Sequence, residues 1–467
     1  MGSVPSRLLI EGGTLLGLTT PADVQPDTDL YAAAGRIRAT GPEAKRLAKE
    51  ATKEGEPVER LDARGRWVLP GFVQAHLHLC QTLLRNGPEN LELLPWLESH
   101  VWPGEAAHDA WTMSISARLG IAECLSAGVV ALLDMGTVRH SDALFESAAA
   151  AGIRYTGGNV LMDDPETTPA NLRAPAEEGL AETSRLLTAW HGRENGRLSV
   201  AVQPRFAVAC TDELLRAAAR LARDRGLLVH THASENRAEC ALVESRTGRR
   251  NLDYLDAVGL LGPRTCVAHA VHTDERDFRL LAERRATVAH CPWSNLKLGS
   301  GVCPVPQLRR AGVRVAIGSD GAACNDLLDP FREMRLAALL PRTHSDDPIS
   351  SFEVLRMATI QGAAALGFDA PEGLVPGARA DLAVLDPEAG WSLPADWSPS
   401  HWGTIVYSMG RENVAATVVD GIVRYRREDP GIGGLKPSAN EIRDAARAIR
   451  SRMKKPGNGK RKTGNDA

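Results

Sequence analysis

The segment PGFVQAHLH places His76 and His78 two residues apart, so along an extended strand both imidazoles point to the same side. Two imidazoles placed that way can bind one divalent ion together. An HxH pair alone carries little, but behind a Pro-Gly-Phe turn at the head of a series of strand-like runs it becomes specific. Three further pieces carry residues of the same chemistry: His232 with Glu235 in HASE, His269 in VAHAVH, and Asp320 in GSDG. That chemistry is hydrolysis. Water is a poor nucleophile at neutral pH, and a bound zinc ion lowers its pKa from about 15.7 to about 7. Asp320 can take the proton. Replacing an amino group on an aromatic ring carbon then needs one proton on the neighbouring ring nitrogen and another on the leaving amine. Glu235 is placed for that shuttle, a role worth roughly 10² to 10⁴ in rate. The plainer reading of Glu235 is an acid at a helix N-terminus, favoured by the helix dipole, and both readings can hold for one residue. His269 would orient the nucleophile and stabilise charge as the tetrahedral adduct forms.

The elements that must position these groups recur in order. Short β-branched runs fall at WVLPGFVQAHLH (67–78), VVALLDMG (129–136), IRYTGGNVL (153–161), LSVAVQPRFA (198–207), LLVHTHASE (227–235), TCVAHAVH (265–272), ATVAHCP (286–292) and VRVAIGSDG (313–321). Segments with apolar residues at three- and four-residue spacing, such as TDELLRAAARLARDR, lie between them. Eight strand–helix units in series predict an α/β fold closed as a parallel (β/α)8 TIM-like barrel. His76, His78, His232, His269 and Asp320 fall at the C-terminal ends of these strands, the face on which barrel enzymes keep their active sites. One histidine at a strand end is ordinarily structural; five polar residues at the same end are a different matter. His230 and His272 read as supporting or packing residues. His290, in AHCPWSN, is equally open to a structural role and to a hydrogen bond with a catalytic group.

The flanks carry short strand-like pieces with turns, LLIEGGTLLG and AAGRIRATGP at one end and LVPGARADLAVLD and VAATVVDGIVRYR at the other. They predict one small β-sandwich domain composed of residues 1–66 and 370–430 around a barrel of residues 67–369. Residues 437–467 give one helix-like segment, NEIRDAARAIRSRMKK, and a tail, PGNGKRKTGNDA, that is too polar and Gly-rich to pack and is expected to be disordered.

Bulk properties narrow the partners. With 467 residues, 43% hydrophobic and 24% charged, the chain has the balance of a globular enzyme. A net charge of −3 argues against nucleic acid as the main partner, since phosphate binders carry a surplus of Lys and Arg. Eight scattered cysteines without a CxxC pair read as reduced thiols. No run of about 20 apolar residues could span a bilayer, and MGSVPSRLLIEGG lacks the regions of a secretory signal, so a cytoplasmic, membrane-free protein is expected. The opening also matches the loose MGxxxS acylation pattern, which arises often by chance.

Over nearly its whole length the chain resembles the amidohydrolase superfamily, through PGFVQAHLH, HASE, His269, GSDG and the return segment GLVPGARADLAVLD. The pattern is similar to the mononuclear deaminase and chlorohydrolase branch. The resemblance implies that His76, His78, His232 and Asp320 ligate one divalent ion, with Glu235 free of it and a water in the open position. No Lys stands where dinuclear members carry a bridging lysine, which favours one metal. Zinc suits three nitrogens and a carboxylate, and iron tolerates the same set. Relatives in the superfamily are often homo-oligomers.

Less specific passages bear on the substrate. LLPWLESHVWPGE, SNLKLGSG and GSDGAACNDLLDPFREMRLAALL resemble deaminases of adenosine type, acting on 5'-deoxyadenosine, methylthioadenosine or S-adenosylhomocysteine; there the residue matching Glu105 holds the ribose hydroxyls. Arg205 in QPRF, together with SENR, resembles guanine deaminases instead. The combination is most similar to 5'-deoxyadenosine deaminases. A guanine deaminase, or a triazine-type chlorohydrolase or aminohydrolase using the same metal chemistry, stands as the alternative; a catalytically silent binding barrel would have no need of the whole set.

Overall fold

A computed structural model describes residues 7–344, 347–368, 371–390 and 400–454. The N-terminal flank gives strands β1 (Arg7–Leu16), β2 (Val24–Ala33), β3 (Arg36–Thr40), β4 (Glu59–Asp62) and β5 (Trp67–Pro70). Then come β6 (Phe72–His78), β7 (Val129–Asp134), β8 (Arg154–Gly157), β9 (Val160–Leu161), β10 (Leu198–Pro204), β11 (Leu228–Ala233), β12 (Thr265–His269), β13 (Thr287–His290), β14 (Arg314–Ile317) and β15 (Asp320–Gly321). Strands β16 (Leu382–Leu385), β17 (Val414–Val419) and β18 (Ile422–Arg426) end the series.

Strands β6 to β14 pair in parallel in chain order, with β9 beside β10. Gly318 and Ser319 carry β14 into β15, and β15 pairs in parallel with β6, Asp320 opposite Leu77 and Gly321 opposite His78, so the run returns on itself as a TIM-like barrel. That return needs a glycine: a Cβ on Gly318 would lie 2.7 Å from the His76 carbonyl oxygen. The strand VVALLD of β7 is buried at every position, as expected where one face meets the barrel interior and the other the helices. Those helices follow their sequence signals. In Asp212–Arg225 the Thr211 side chain accepts from the Leu214 amide, Leu214, Leu215, Ala218, Ala219 and Ala222 are buried, and Gly226 at φ 65° ends the helix. Each large aliphatic side chain so buried contributes about 1.5–3 kcal/mol.

The flanks meet in one sheet of order β18-β17-β16-β5-β1-β2-β3, with β4 paired to β1. Its β3 edge is bonded back to the chain entering β16, through Ile37 N–H to Ala378 O, Gly377 N–H to Ile37 O and Ala380 N–H to Gly35 O. A core of Leu8, Ile10, Leu30, Val68, Leu382 and Val418 with their neighbours fills the curl.

Two local expectations are corrected. The run read as one strand over 67–78 is two: Trp67–Pro70 pairs with β1 and β16 in the small sheet, and Gly71 separates it from β6. No side chain fits at Gly71, where a Cβ would meet Val130 Cγ1 at 2.2 Å. The N-terminal flank also holds a helix, Pro42–Lys53, where only strand-like pieces were expected. Ala44, Ala48 and Ala51 form its buried stripe, and Ala44 and Ala48 pack with Leu9, Tyr31 and Ala39 on the sheet. Alanine is a strong helix former that makes only a weak apolar stripe, so periodicity missed it. The helix Ala439–Met453 lies where the C-terminal segment predicts one; the tail expectation falls on residues outside those described.

Candidate active site

His76 and His78 end β6, His232 is next to last in β11, His269 ends β12, and Asp320 opens β15. The barrel brings all five to one end, buried. Asp320 Oδ1 lies 3.3 Å from His76 Nε2 and 3.3 Å from His78 Nε2, and His78 Nε2 lies 3.2 Å from His232 Nε2.

The tautomers decide what the last contact means. His78 Nδ1 is 2.7 Å from the Met135 carbonyl and His232 Nδ1 is 2.7 Å from the Arg205 carbonyl. A carbonyl only accepts, so each Nδ1 carries the hydrogen and each Nε2 presents a lone pair. Burial pushes His232 well below the usual imidazole range, so it stays neutral. Two lone pairs therefore face each other at 3.2 Å, an arrangement that a cation between them relieves. His76 Nε2 is likewise buried without a hydrogen-bond partner, while its Nδ1 lies 2.8 Å from His230 Nε2. A tetrahedron with its centre about 2.0–2.1 Å from each nitrogen vertex has edges of about 3.3 Å. The three measured separations match that edge, so this donor set fits a divalent ion of zinc type.

The backbone at the site is strained. His269, Asp320 and Ser234 have φ of 76°, 62° and 54°, in the left-handed region that side chains rarely adopt. Such positions persist where the surrounding fold over-determines them, and they cluster at functional sites. Asp320 Oδ1 also accepts from the Gly321 amide at 2.7 Å. Burial works to raise the Asp320 pKa, but His76 and His78 outweigh it and hold the carboxyl well below the usual range. Glu235 shows the opposite balance: burial first, then the nearby Asp320 and Glu239 carboxylates, drive its pKa well above the ordinary value. Its Oε2 stands 3.5 Å from His269 Nε2, and its own amide donates to Glu239 Oε2 at 2.8 Å. His269 Nδ1 is 2.8 Å from Asn295 Oδ1.

The pocket in front of these groups is narrow, with about 20 Å³ of free space. Its lining is polar at His78, Gln81, Arg205, His232, Glu235, His269 and Asp320 and apolar at Leu93, Trp96, Leu97 and Phe206. Arg205 is thus at the pocket, but Glu105 is behind it. Glu105 accepts from Arg205 Nη1 at 2.6 Å, from Arg205 Nη2 at 3.1 Å and from Gln81 Nε2 at 3.0 Å.

His230 supports His76, and Gln203 Nε2 lies 3.3 Å from its other nitrogen. His272 and His290 are outside the pocket wall. Sequence reasoning missed Asn295, Gln81, Met135 and the apolar wall. Asn295 stands in SNLK, a passage whose resemblance was visible but whose bond to His269 was not.

A parallel barrel with an imidazole and carboxylate cradle at its strand ends is the construction of a metal-dependent hydrolase. The amidohydrolase family model matches residues 67–423, and the chain belongs to that family. It is similar to a 5'-deoxyadenosine deaminase of Methanothermobacter thermautotrophicus, 37% identical over 377 residues, which cover 80% of this chain and 85% of the relative. It is similar to a 5-methylthioadenosine/S-adenosylhomocysteine deaminase of Symbiobacterium thermophilum, 35% identical over 453 residues, 94% of this chain and 98% of the relative. A solved adenosine deaminase from Xanthomonas campestris with bound zinc superposes with a TM-score of 0.84 at 30% identity, covering 96% of this chain and 98% of that one.

Proposed function

We propose that the protein is a metal-dependent hydrolytic deaminase of an adenine nucleoside of the 5'-deoxyadenosine, methylthioadenosine or S-adenosylhomocysteine type, releasing ammonia and the inosine analogue. The observation that carries this is the pairing of a buried, proton-retaining Glu235 with the lone-pair cradle of His76, His78, His232 and Asp320. The deaminases among the relatives support it.

In this reading His76, His78, His232 and Asp320 hold one divalent ion, zinc, which when bound activates a water as nucleophile. Asp320, kept ionised, accepts a proton from that water as oxygen adds to the amino-bearing ring carbon. Glu235, kept protonated, gives its proton to the adjacent ring nitrogen. His269 presents Nε2 to the adduct because Asn295 holds the hydrogen on Nδ1. The hydroxyl proton of the adduct then returns to Glu235, the proton on Asp320 passes to the amine, the C–N bond breaks, and water plus amine have become the carbonyl and ammonia. On the ribose side Arg205 and Gln81 face the pocket, and Glu105 behind them holds both in place.

The division into a composite β-sandwich of residues 1–66 and 370–430 and a barrel of 67–369 belongs to the same reading, with Trp67–Pro70 lent to the sheet. So do one zinc per chain, a cytoplasmic setting with reduced thiols, the absence of nucleic-acid and membrane partners, and a homo-oligomeric assembly. All eight cysteines are free, and no helix among the described residues is long and apolar enough to cross a membrane. Arg205 in the pocket wall favours guanine as the second reading. Ammonia release from 5'-deoxyadenosine, methylthioadenosine, S-adenosylhomocysteine, guanine and a chlorotriazine decides. Turnover of guanine or triazine above that of every nucleoside overturns the assignment.

A further inference from the structure

At the opposite end of β6 and β7 from the catalytic groups, a cavity of about 130 Å³ opens between the barrel and the small sheet. Small residues make the room. Gly71, Ala131, Ala363, Ala364 and Gly373 line it, with Val73, Ile360 and Phe368 supplying apolar surface. Its volume is close to that of the roughly 150 Å³ apolar cavity known to take up a benzene molecule. A dry cavity of this kind would call for no charge in its wall, yet Arg379 is there.

Among the described residues Arg379 makes no side-chain hydrogen bond and no ion pair, and its Nε is buried without an acceptor. The two carboxylates in the same wall are engaged elsewhere: Asp381 Oδ2 with Arg154 Nε at 2.5 Å, and Glu372 with Arg356 at 3.0 Å. Arg154 itself, nearly completely buried, keeps Nη1 without a partner. Both guanidinium groups lie near the Phe368 ring, Arg379 at 5.1 Å and Arg154 at 5.9 Å from its centroid. Burial first, then the neighbouring Arg154 charge, pull the Arg379 pKa below its ordinary value, and the nearby Asp381 and Asp420 carboxylates offset only part of that. A buried N–H without an acceptor is costly, so an acceptor on a ligand would relieve the Arg379 Nε.

We propose that this cavity is a binding site for a small organic anion with an apolar body, a monocarboxylate of benzoate or branched-chain size, its carboxylate on Arg379 and its body against Phe368, Ile360 and Val73. A guanidinium offers a carboxylate two parallel N–H donors. The lining of small residues leaves the space for the body, and a bare inorganic anion would leave that surface unfilled. The site is separate from the catalytic pocket, with which it shares no lining residue.

The test is calorimetry and thermal melting of the metal-loaded full chain with sodium benzoate and sodium isovalerate, against sodium chloride at equal ionic strength. One carboxylate per chain should bind, raising Tm by about 1–3 °C at ten- to a hundredfold its Kd. It should not compete with the nucleoside in steady-state kinetics. Arg379→Gln should weaken uptake roughly tenfold or more. Ala363→Leu, which fills the cavity and touches no catalytic group, should abolish uptake while leaving deamination unchanged. The second variant keeps the test sound if the first fails to fold. No saturable uptake, equal stabilisation by chloride, uptake unaffected by either substitution, or competition with the nucleoside would each overturn the proposal.

Discussion

Arg205 grips both carboxylate oxygens of Glu105, at 2.6 and 3.1 Å, with neither residue more than 3% exposed. In the sequence these residues read as rivals, Glu105 marking a ribose and Arg205 marking guanine. In the fold they are partners. Burial works against the charge on each, and the partner outweighs it, holding Glu105 below and Arg205 above the ordinary range.

Removing either partner strands the other as a buried charge. Glu105→Ala and Arg205→Ala should each cost about 3–5 kcal/mol of stability, while replacing both with apolar residues of similar volume should recover much of that loss. Denaturant unfolding in a double-mutant cycle measures it. Additive losses would show that the pair is not coupled. Because each single variant disturbs both residues, alanine scanning at this pair cannot separate nucleoside from guanine recognition; substrate kinetics can.

His78→Ala and Asp320→Ala should lose the metal and all measurable turnover, because each removes a vertex of the cradle. Elemental analysis of the parent protein should find about one divalent ion per chain. Two ions per chain, or an active protein stripped by chelator, would sink the mononuclear reading.

Glu235→Gln should keep the metal and lower kcat by roughly 10² to 10⁴, since the amide keeps the shape and cannot pass a proton. Asn295→Ala should also keep the metal and lower kcat, by freeing the His269 tautomer, while Asn295→Asp, which retains an acceptor for Nδ1, should restore part of the rate. Equal loss in both Asn295 variants would indicate a packing role.

How much of this was legible follows from what each signal depends on. His76, His78, His232, His269 and Asp320 were legible because strand periodicity and the strand-end rule are local to each run. Glu105 and Arg205, 100 positions apart, could not be read as a pair, since only barrel closure brings them together. The bond from His269 to Asn295 has the same character, a contact between the end of β12 and the short helix after β13 that no spacing encodes. The helix Pro42–Lys53 was missed for the opposite reason: its signal is local, but its buried stripe is alanine. The break at Gly71 lies inside a continuous apolar run whose two halves serve different sheets.

Stability should carry a pH signature from Glu333. This carboxyl is buried, accepts from Asn325 Nδ2 at 2.7 Å and from the Trp293 amide at 3.2 Å, and burial pushes its pKa from an ordinary 4.5 up to about 8. Below about pH 4.5 both folded and unfolded chains hold the proton. Between there and pH 8 the unfolded chain has lost it and the folded chain keeps it, so this group's contribution is lost as pH rises, at up to about 1.4 kcal/mol per pH unit. Glu333→Gln, neutral throughout, should flatten that decline in denaturant midpoints measured from pH 5 to 8. An unchanged pH profile would contradict it.

The last prediction concerns the 5' end of the nucleoside. Leu93, Trp96, Leu97 and Phe206 make the outer walls apolar, and the guanidinium in the pocket wall, Arg205, is already committed to Glu105. The charged amino-acid end of S-adenosylhomocysteine would have to shed water against those side chains without gaining a free cation there, whereas a methyl or methylthio group gains by the same burial, about 0.8 kcal/mol per buried methylene-sized group. kcat/KM should therefore be higher for 5'-deoxyadenosine and methylthioadenosine than for S-adenosylhomocysteine, on the order of tenfold or more. Trp96→Ala should reduce kcat/KM for the two apolar substrates more than for S-adenosylhomocysteine, since only they lose favourable burial. Steady-state kinetics with the three nucleosides reads both effects. A preference for S-adenosylhomocysteine that survives in Trp96→Ala would mean that the 5' end leaves the pocket by another side.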